Sequence, residues 1–235
     1  MGTSCAPNAL RCRALRVCTK RNDDWVQTSA RISLASQVVL GLLSLIGFAA
    51  SRPWQPLFTT LLLDVFVQII EVVYYTGMVF FYPRPPTYMR YADWFVSTPI
   101  MMTGSMIFNA YLGNRELTVG RYVEVYGGAT LVVVALNAAM LAFGLAAELR
   151  LLPVPRAVAC GTAAFLAEYA FVYATVPTTT WGYIIFSGQA VVWSLYGVAA
   201  LLPYAPKNIM YNVLDILAKN MYGVILAFAS FVIQG

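Results

Sequence analysis

The chain has 235 residues, of which 60% are hydrophobic and 11% charged, and it contains no histidine. Soluble domains carry about 25% charged residues, so a chain this poor in charge is suited to lipid rather than to water. Without histidine the commonest metal ligand and the usual acid–base residue at neutral pH are missing. We therefore expect neither an enzyme nor a metal site, and no nucleic-acid partner.

The formal net charge of +5 equals the charge of the basic residues that precede Asp23. Five basic residues there account for all of it: Arg11, Arg13, Arg16, Lys20 and Arg21. Such an arm is a disordered tail, a contact for anionic headgroups or a cleaved targeting segment. We assign residues 1–26 to this basic N-terminal arm and residues 27–235 to one membrane domain.

Seven apolar runs follow in chain order, each long enough to cross about 30 Å of hydrocarbon. They cover roughly 29–50, 53–81, 87–112, 121–147, 153–175, 178–202 and 206–233. Short turns rich in proline, glycine and charge separate them, which makes neighbouring helices antiparallel. The pattern predicts an all-α membrane protein, a bundle of seven transmembrane helices with membrane lipid around it.

A charge within these runs costs several kcal/mol and marks a candidate functional site, and four such residues form two pairs in the third and last runs. Asp215 and Lys219 are four residues apart in the last run and share one helix face. Arg90 and Asp93 are three apart in the third run. Together the four side chains sum to zero charge, and a structural ion pair between helices is the alternative to a functional role.

The spacing of these residues resembles the signature of microbial (type 1) rhodopsins over roughly residues 27–234. The matching motifs are Arg90-Tyr91-Ala92-Asp93-Trp94, then Thr98-Pro99, and Asp215-x-x-x-Lys219 in the last helix. The resemblance implies a bundle that encloses all-trans retinal, bound to Lys219 as a Schiff base. It implies Asp93 as primary counter-ion, Asp215 as second counter-ion and Arg90 as the arginine on the extracellular side.

The same resemblance supplies the walls of the retinal pocket and one contact between helices. Trp94, Trp193 and Tyr196 resemble pocket walls, although ordinary helix packing would also explain aromatic residues there. Asn137 in the fourth helix falls opposite Thr98 in the third, which implies a hydrogen bond between these helices beside the chromophore.

The second run carries a polar stripe formed by Asp64, Gln68 and Glu71, at positions i, i+4 and i+7 of an otherwise apolar helix. Carboxylate-lined constrictions are a common means of selecting cations over anions. A hydrogen-bonded structural pair between helices is the alternative interpretation. Glu168 in the fifth run receives no role from the sequence.

The third helix has no acid at the position eleven residues after Asp93, where outward proton pumps of this family usually carry one; Gly104 stands there. The sequence resembles the viral and algal rhodopsins that act as light-gated cation channels. The resemblance rests on the missing acid at Gly104, the second-helix acids, Ser97 and the pair Lys219-Asn220. The resemblance therefore assigns the ion pathway to Asp64, Gln68, Glu71, Ser97 and Asn220.

We thus predict a retinal-binding light-gated cation channel that conducts protons or metal cations, with a homo-oligomer as its candidate assembly. A light-driven outward proton pump with Asp93 as acceptor is one alternative, and a photosensor that signals through a separate transducer is another. The loop charges favour a cytoplasmic N-terminus. The resemblance implies an extracellular N-terminus and a cytoplasmic C-terminus, and we follow it.

Overall fold

The computed structural model describes residues 6–51 and 55–234, with side chains from Asp23 onward except at 230, 233 and 234. All regular structure in these ranges is helical, which confirms the predicted fold class. The helices are α1 Ala6–Ala50, α2 Pro56–Phe81, α3 Arg90–Gly113, α4 Val119–Glu148, α5 Val154–Thr175, α6 Thr180–Ala200 and α7, residues 204–234. Helix α7 consists of Tyr204–Asp215, a π turn at Ile216–Asn220 and Met221–Gln234, and a 3₁₀ turn at Thr87–Met89 precedes α3.

Helix α1 begins well before the first predicted apolar run. It starts at Ala6 and therefore includes most of the segment that the sequence assigns to a basic arm. Residues 1–5 of that arm lie outside the described residues. The retention or removal of the arm stays a prediction.

Proline and hydroxyl side chains set several helix boundaries. Pro56 is the first residue of α2, a position where the missing amide hydrogen costs nothing. The hydroxyl of Thr118 accepts a hydrogen bond from the backbone N–H of Arg121, 3.2 Å away, at the start of α4. Thr179 caps α6 in the same way through Gly182. These short, capped turns allow the antiparallel packing that the sequence predicts.

Six helices are long and apolar enough to cross a membrane. Among the described helices α3 is the exception, although its 24 residues match the span of the bilayer. It carries buried polar and charged side chains such as Arg90, Asp93 and Ser97. Because α2, α4 and α6 pack around it, this polar surface faces protein rather than lipid.

Helix α1 packs against α2 and against both halves of α7, and the approach to α7 is closest at a glycine. A Cβ atom added at Gly47 would lie 2.5 Å from the Cβ of Ala227 and 2.8 Å from its Cα. Small residues of this kind let membrane helices come close together, since packing rather than hydrophobicity drives their association.

We expect Gly47→Ala to lower the thermal unfolding temperature, because the added methyl group must push α1 away from α7. Gly77→Ala is the matched control, since a Cβ at Gly77 meets no atom within 4 Å. Alanine there should be neutral or should stabilise α2 by up to about 1 kcal/mol. Thermal melts of the two variants measure the difference, and equal melting temperatures would contradict the close approach.

Candidate functional site

Lys219 lies inside the bundle, on the π turn of α7. Turns of this kind are rare and occur mostly as bulges at functional sites. The side chain is only 2% exposed, so its amine cannot be solvated by water or by lipid headgroups. It therefore needs charged partners within the protein.

Three carboxyl groups surround the amine of Lys219. Its Nζ lies 2.8 Å from Oδ2 of Asp93 on α3 and 3.9 Å from Oδ1 of Asp215 on α7. It also donates to Oε1 of Glu71 on α2. The structure thus brings Asp93 and Asp215 to the amine, as the counter-ion assignment requires, and it adds Glu71, which the sequence had placed in the ion pathway only.

Asp215 receives hydrogen bonds on both oxygen atoms. The hydroxyl of Tyr75 donates to Oδ2 over 2.6 Å, and the hydroxyl of Tyr196 donates to Oδ1 over 2.7 Å. The guanidinium of Arg90 lies 3.3 Å from Oδ2. All three partners are donors, so both oxygen atoms of Asp215 are held by hydrogen bonds.

Arg90 is buried, and two asparagines of α7 satisfy the rest of its guanidinium. Its Nε donates to Oδ1 of Asn208 over 3.2 Å, and its Nη2 donates to Oδ1 of Asn212. A guanidinium keeps its proton in proteins. Arg90 therefore contributes a permanent positive charge beneath Lys219, held in place by side chains that the sequence did not single out.

A cavity of about 220 Å³ adjoins Lys219, enclosed by α3, α4, α5, α6 and α7. The predicted pocket residues Trp94, Thr98, Trp193 and Tyr196 all line it. Trp94 meets Tyr196 edge to face, with ring centroids 5.4 Å apart and planes at 88°. The walls are mostly aromatic and aliphatic, and the one amine on them belongs to Lys219.

Small residues keep part of this cavity open. Gly144 and Gly161 contribute no side chain to its wall, and Ala200 contributes a single methyl group. A Cβ at Gly144 would lie 2.5 Å from the hydroxyl oxygen of Tyr91. An apolar cavity that ends at a buried primary amine fits retinal, an apolar polyene aldehyde able to condense with that amine.

A hydrogen-bonded chain connects α3, α4 and α5 beside the cavity. The hydroxyl of Thr98 lies 2.6 Å from Oδ1 of Asn137, the contact between helices that the sequence predicts. The amide nitrogen of Asn137 donates in turn to Oε1 of Glu168 over 3.2 Å. Glu168 is fully buried. It is thus a polar contact within the bundle.

The polar stripe of α2 faces α1 and α7. Oε1 of Gln68 accepts a hydrogen bond of 2.7 Å from the amide of Asn220. Nε2 of Gln68 lies 3.4 Å from the backbone carbonyl of Lys219 and 3.5 Å from Oδ1 of Asp64. The structure therefore joins the stripe to α7: Glu71 meets the side chain of Lys219, Gln68 meets its backbone and Asn220, and Asp64 follows through Gln68.

Asp64 marks the far end of this stripe, at the second half of α7. A Cβ at Gly223 would lie 2.9 Å from Oδ1 of Asp64, and it would also collide with Oδ2 and with the hydroxyl of Ser44 on α1. Glycine at 223 is thus what allows α1, α2 and α7 to meet around this carboxyl group.

Ser97, the remaining pathway residue, is fully buried on α3. Its hydroxyl has no hydrogen-bond partner among the side chains that the structure describes. It lies one turn from Asp93 and one residue before Thr98, and no described hydrogen bond connects it to the α2 stripe. Its membership of the ion pathway stays a prediction.

Sequence analysis assigned no role to three residues that the structure brings to the site. Gln37 of α1 donates to Oε2 of Glu71 over 3.0 Å, Tyr75 binds Asp215, and Glu168 binds Asn137. A signal was present for Tyr75, since it lies four residues after Glu71 on the polar face of α2. Gln37 carries the one amide side chain of the first apolar run, and nothing in the sequence indicates its partner.

Comparison with known proteins identifies the family of the chain. The profile of the family described as bacteriorhodopsin-like protein matches residues 27–233. No functionally curated protein matches the sequence.

Solved structures show the same fold at low sequence identity. Viral rhodopsin OLPVRII superposes with a TM-score of 0.79 at 18% identity, over 88% of this chain and 98% of that one. The blue light-absorbing proteorhodopsin from Med12 superposes with a TM-score of 0.71 at 17% identity, over 89% of this chain and 98% of that one. The bromide-bound halorhodopsin from Halobacterium salinarum superposes with a TM-score of 0.68 at 16% identity, over 92% of this chain and 98% of that one.

The family match covers nearly all of the helical domain, and the seven helices, the buried lysine and the apolar cavity are the features such a protein needs. The chain belongs to the bacteriorhodopsin-like family of microbial rhodopsins, whose chromophore is retinal.

Proposed function

We propose that this rhodopsin is a light-gated cation channel, with all-trans retinal attached to Lys219 and an ion pathway along the α2 stripe. The observation that carries the proposal is the buried line of polar side chains from Glu71 through Gln68 to Asp64. Each of the three is at most 5% exposed, although α2 is otherwise apolar. Buried polar groups are costly in a membrane protein and mark transport routes.

Several oxygen atoms around this stripe lack a protein donor. Oε1 of Gln37 and Oδ1 of Asn220 have no hydrogen-bond partner among the described residues. Buried acceptors of this kind are normally satisfied by ordered water or by a cation. The carboxyl groups of Asp64 and Glu71 at the two ends of the stripe favour cations over anions.

The contacts of Lys219 supply a route from light to gating. Retinal, when bound, supplies light absorption and a change of shape at the Lys219 side chain. The backbone carbonyl of Lys219 accepts from Gln68, and the next residue, Asn220, donates to the same side chain. A displacement of this turn of α7 therefore moves or breaks the hydrogen bonds of Gln68, the central residue of the stripe. Lys219 and Asn220 both belong to the π turn, and turns of this kind are frequent at functional sites.

An outward proton pump is the second candidate, since Oδ2 of Asp93 lies 2.8 Å from Nζ of Lys219 and can accept a proton from it. Efficient pumping also needs a group that returns the proton. Gly104 offers none, and a Cβ there would face the side chains of Thr60 and Leu63 at 3.8 and 4.0 Å. The α2 stripe has no role in this alternative.

We predict that Lys219→Ala abolishes visible absorption after retinal is added, because no other amine lines the cavity. Lys207→Ala is the matched control; Lys207 is bound to Glu148 over 2.7 Å, away from the cavity, and its loss should leave the colour unchanged. Absorption spectra of the purified variants measure the effect. Retained colour in Lys219→Ala would refute the attachment site.

The channel is tested by whole-cell photocurrent against holding voltage, with retinal supplied. A current that reverses sign, at a potential that follows the cation gradients, is the expected result for passive flow. An outward current at every voltage would establish a pump instead. A coloured, bleachable protein without current would favour the photosensor over both the channel and the pump.

Asp64→Asn should reduce the photocurrent several-fold or move its reversal potential, because one carboxylate of the pathway is lost. The absorption spectrum should not change, since Asp64 does not contact Lys219. Glu168→Gln is the matched control, because it replaces a buried acid on the opposite side of the bundle and should leave the reversal potential as it was. Unaltered currents in Asp64→Asn would mean that the pathway lies elsewhere.

A further inference from the structure

The charges around Lys219 do not balance. Arg90 and Lys219 contribute two positive charges, and Glu71, Asp93 and Asp215 contribute three negative charges if all are ionised. No other described ion pair reaches this cluster. An uncompensated charge in a buried site costs far more than the retention of one proton.

Asp215 is not the carboxyl group that keeps this proton. Two tyrosine hydroxyls donate to it, at 2.6 and 2.7 Å, and the guanidinium of Arg90 lies 3.3 Å away. With donors on both oxygen atoms, a protonated Asp215 would lose at least one of these hydrogen bonds.

Glu71 and Asp93 are placed to share it. Both accept from the same nitrogen, Nζ of Lys219, so the two carboxyl groups are neighbours around one atom. No donor among the described residues reaches Oδ1 of Asp93. Two adjacent carboxylates repel, whereas a carboxyl group and a carboxylate that share one proton attract.

We propose that Glu71 and Asp93 hold one proton between them, so that Lys219 faces a single negative charge that either carboxyl group can provide. The carboxyl O–H of one partner donates to a carboxylate oxygen of the other, and no bond to another atom changes. Glu71 is then a second, exchangeable counter-ion on α2, in addition to its place in the polar stripe. The proposal does not depend on ion flow, so it holds whether the protein is a channel or a pump.

The neighbours of the pair leave room for this exchange. The groups that face it are Gln37 from α1, Tyr75 from α2, Arg90 from α3 and Lys219 and Asp215 from α7. Of these only Lys219 contacts both members of the pair. The neutral amide of Gln37 donates to Oε2 of Glu71 over 3.0 Å, and it can do so whether Glu71 is protonated or ionised.

The proton count is measured by infrared spectroscopy of the carbonyl stretch of protonated carboxyl groups in the dark. We expect one such band to disappear in Glu71→Gln and the same band to disappear in Asp93→Asn, because removal of either partner leaves the other ionised. Asp64→Asn and Glu168→Gln, which replace the two described buried acids outside the Lys219 cluster, should leave this band in place. The spectra are recorded on the protein with retinal and on the protein without it, since Lys219 carries one positive charge in both.

Absorption spectra provide the second measurement. Each single variant keeps one counter-ion and should show only a small red shift. The double variant should show a red shift larger than the sum of the two, since no exchangeable carboxylate then remains beside Lys219. Glu71→Asp keeps the acid and should keep a single carboxyl band, which covers the case in which Glu71→Gln does not fold.

Three results would overturn the proposal. A carboxyl band that survives in both Glu71→Gln and Asp93→Asn would place the proton elsewhere. A full red shift in Asp93→Asn alone would show that Glu71 does not act as a counter-ion. The absence of any such band, with a spectrum that depends on the sodium concentration, would mean that a bound cation balances the cluster. None of these results bears on the voltage dependence of the photocurrent.

Discussion

Burial of the Lys219 amine is the constraint on which the rest of the site depends. A cation 2% exposed in a lipid-embedded bundle must be neutralised by the protein itself. Carboxyl groups from α2, α3 and α7 converge on it, and Arg90 with its tyrosine and asparagine partners holds the third of them. The same contacts join three helices at the centre of the bundle. The ion pairs that neutralise Lys219 therefore also hold α2, α3 and α7 together.

Glu71 connects this cluster with the polar stripe of α2. One of its oxygens meets Lys219, while the next polar residue of the stripe, Gln68, contacts the backbone of Lys219 and the side chain of Asn220. A displacement at the amine therefore reaches the stripe within one side chain. The two proposals meet at this residue, since each assigns a role to Glu71.

The aromatic cavity and the polar stripe lie on opposite sides of Lys219. Trp94, Trp193 and Tyr196 face the cavity, whereas Gln37, Gln68 and Asn220 lie towards α1 and α2. Apolar packing on one side excludes water from the chromophore. Unsatisfied acceptors on the other side favour hydration. This division allows one lysine to bind an apolar ligand and to border a polar route.

The sequence by itself determined the seven helices, the buried lysine and the two aspartates, because the length and the charge content of apolar runs are local properties. The Thr98–Asn137 contact followed from the family resemblance and not from these local properties. It also predicted that Asp64, Gln68 and Glu71 share a face of α2. Only the tertiary structure decided what that face meets, since the rotation of α2 against α3 and α7 is set by packing over the whole bundle. That packing put Glu71 on Lys219, brought Gln37 to Glu71 and buried Glu168 against Asn137. It thereby added a third carboxyl group to a cluster that summed to zero charge in sequence.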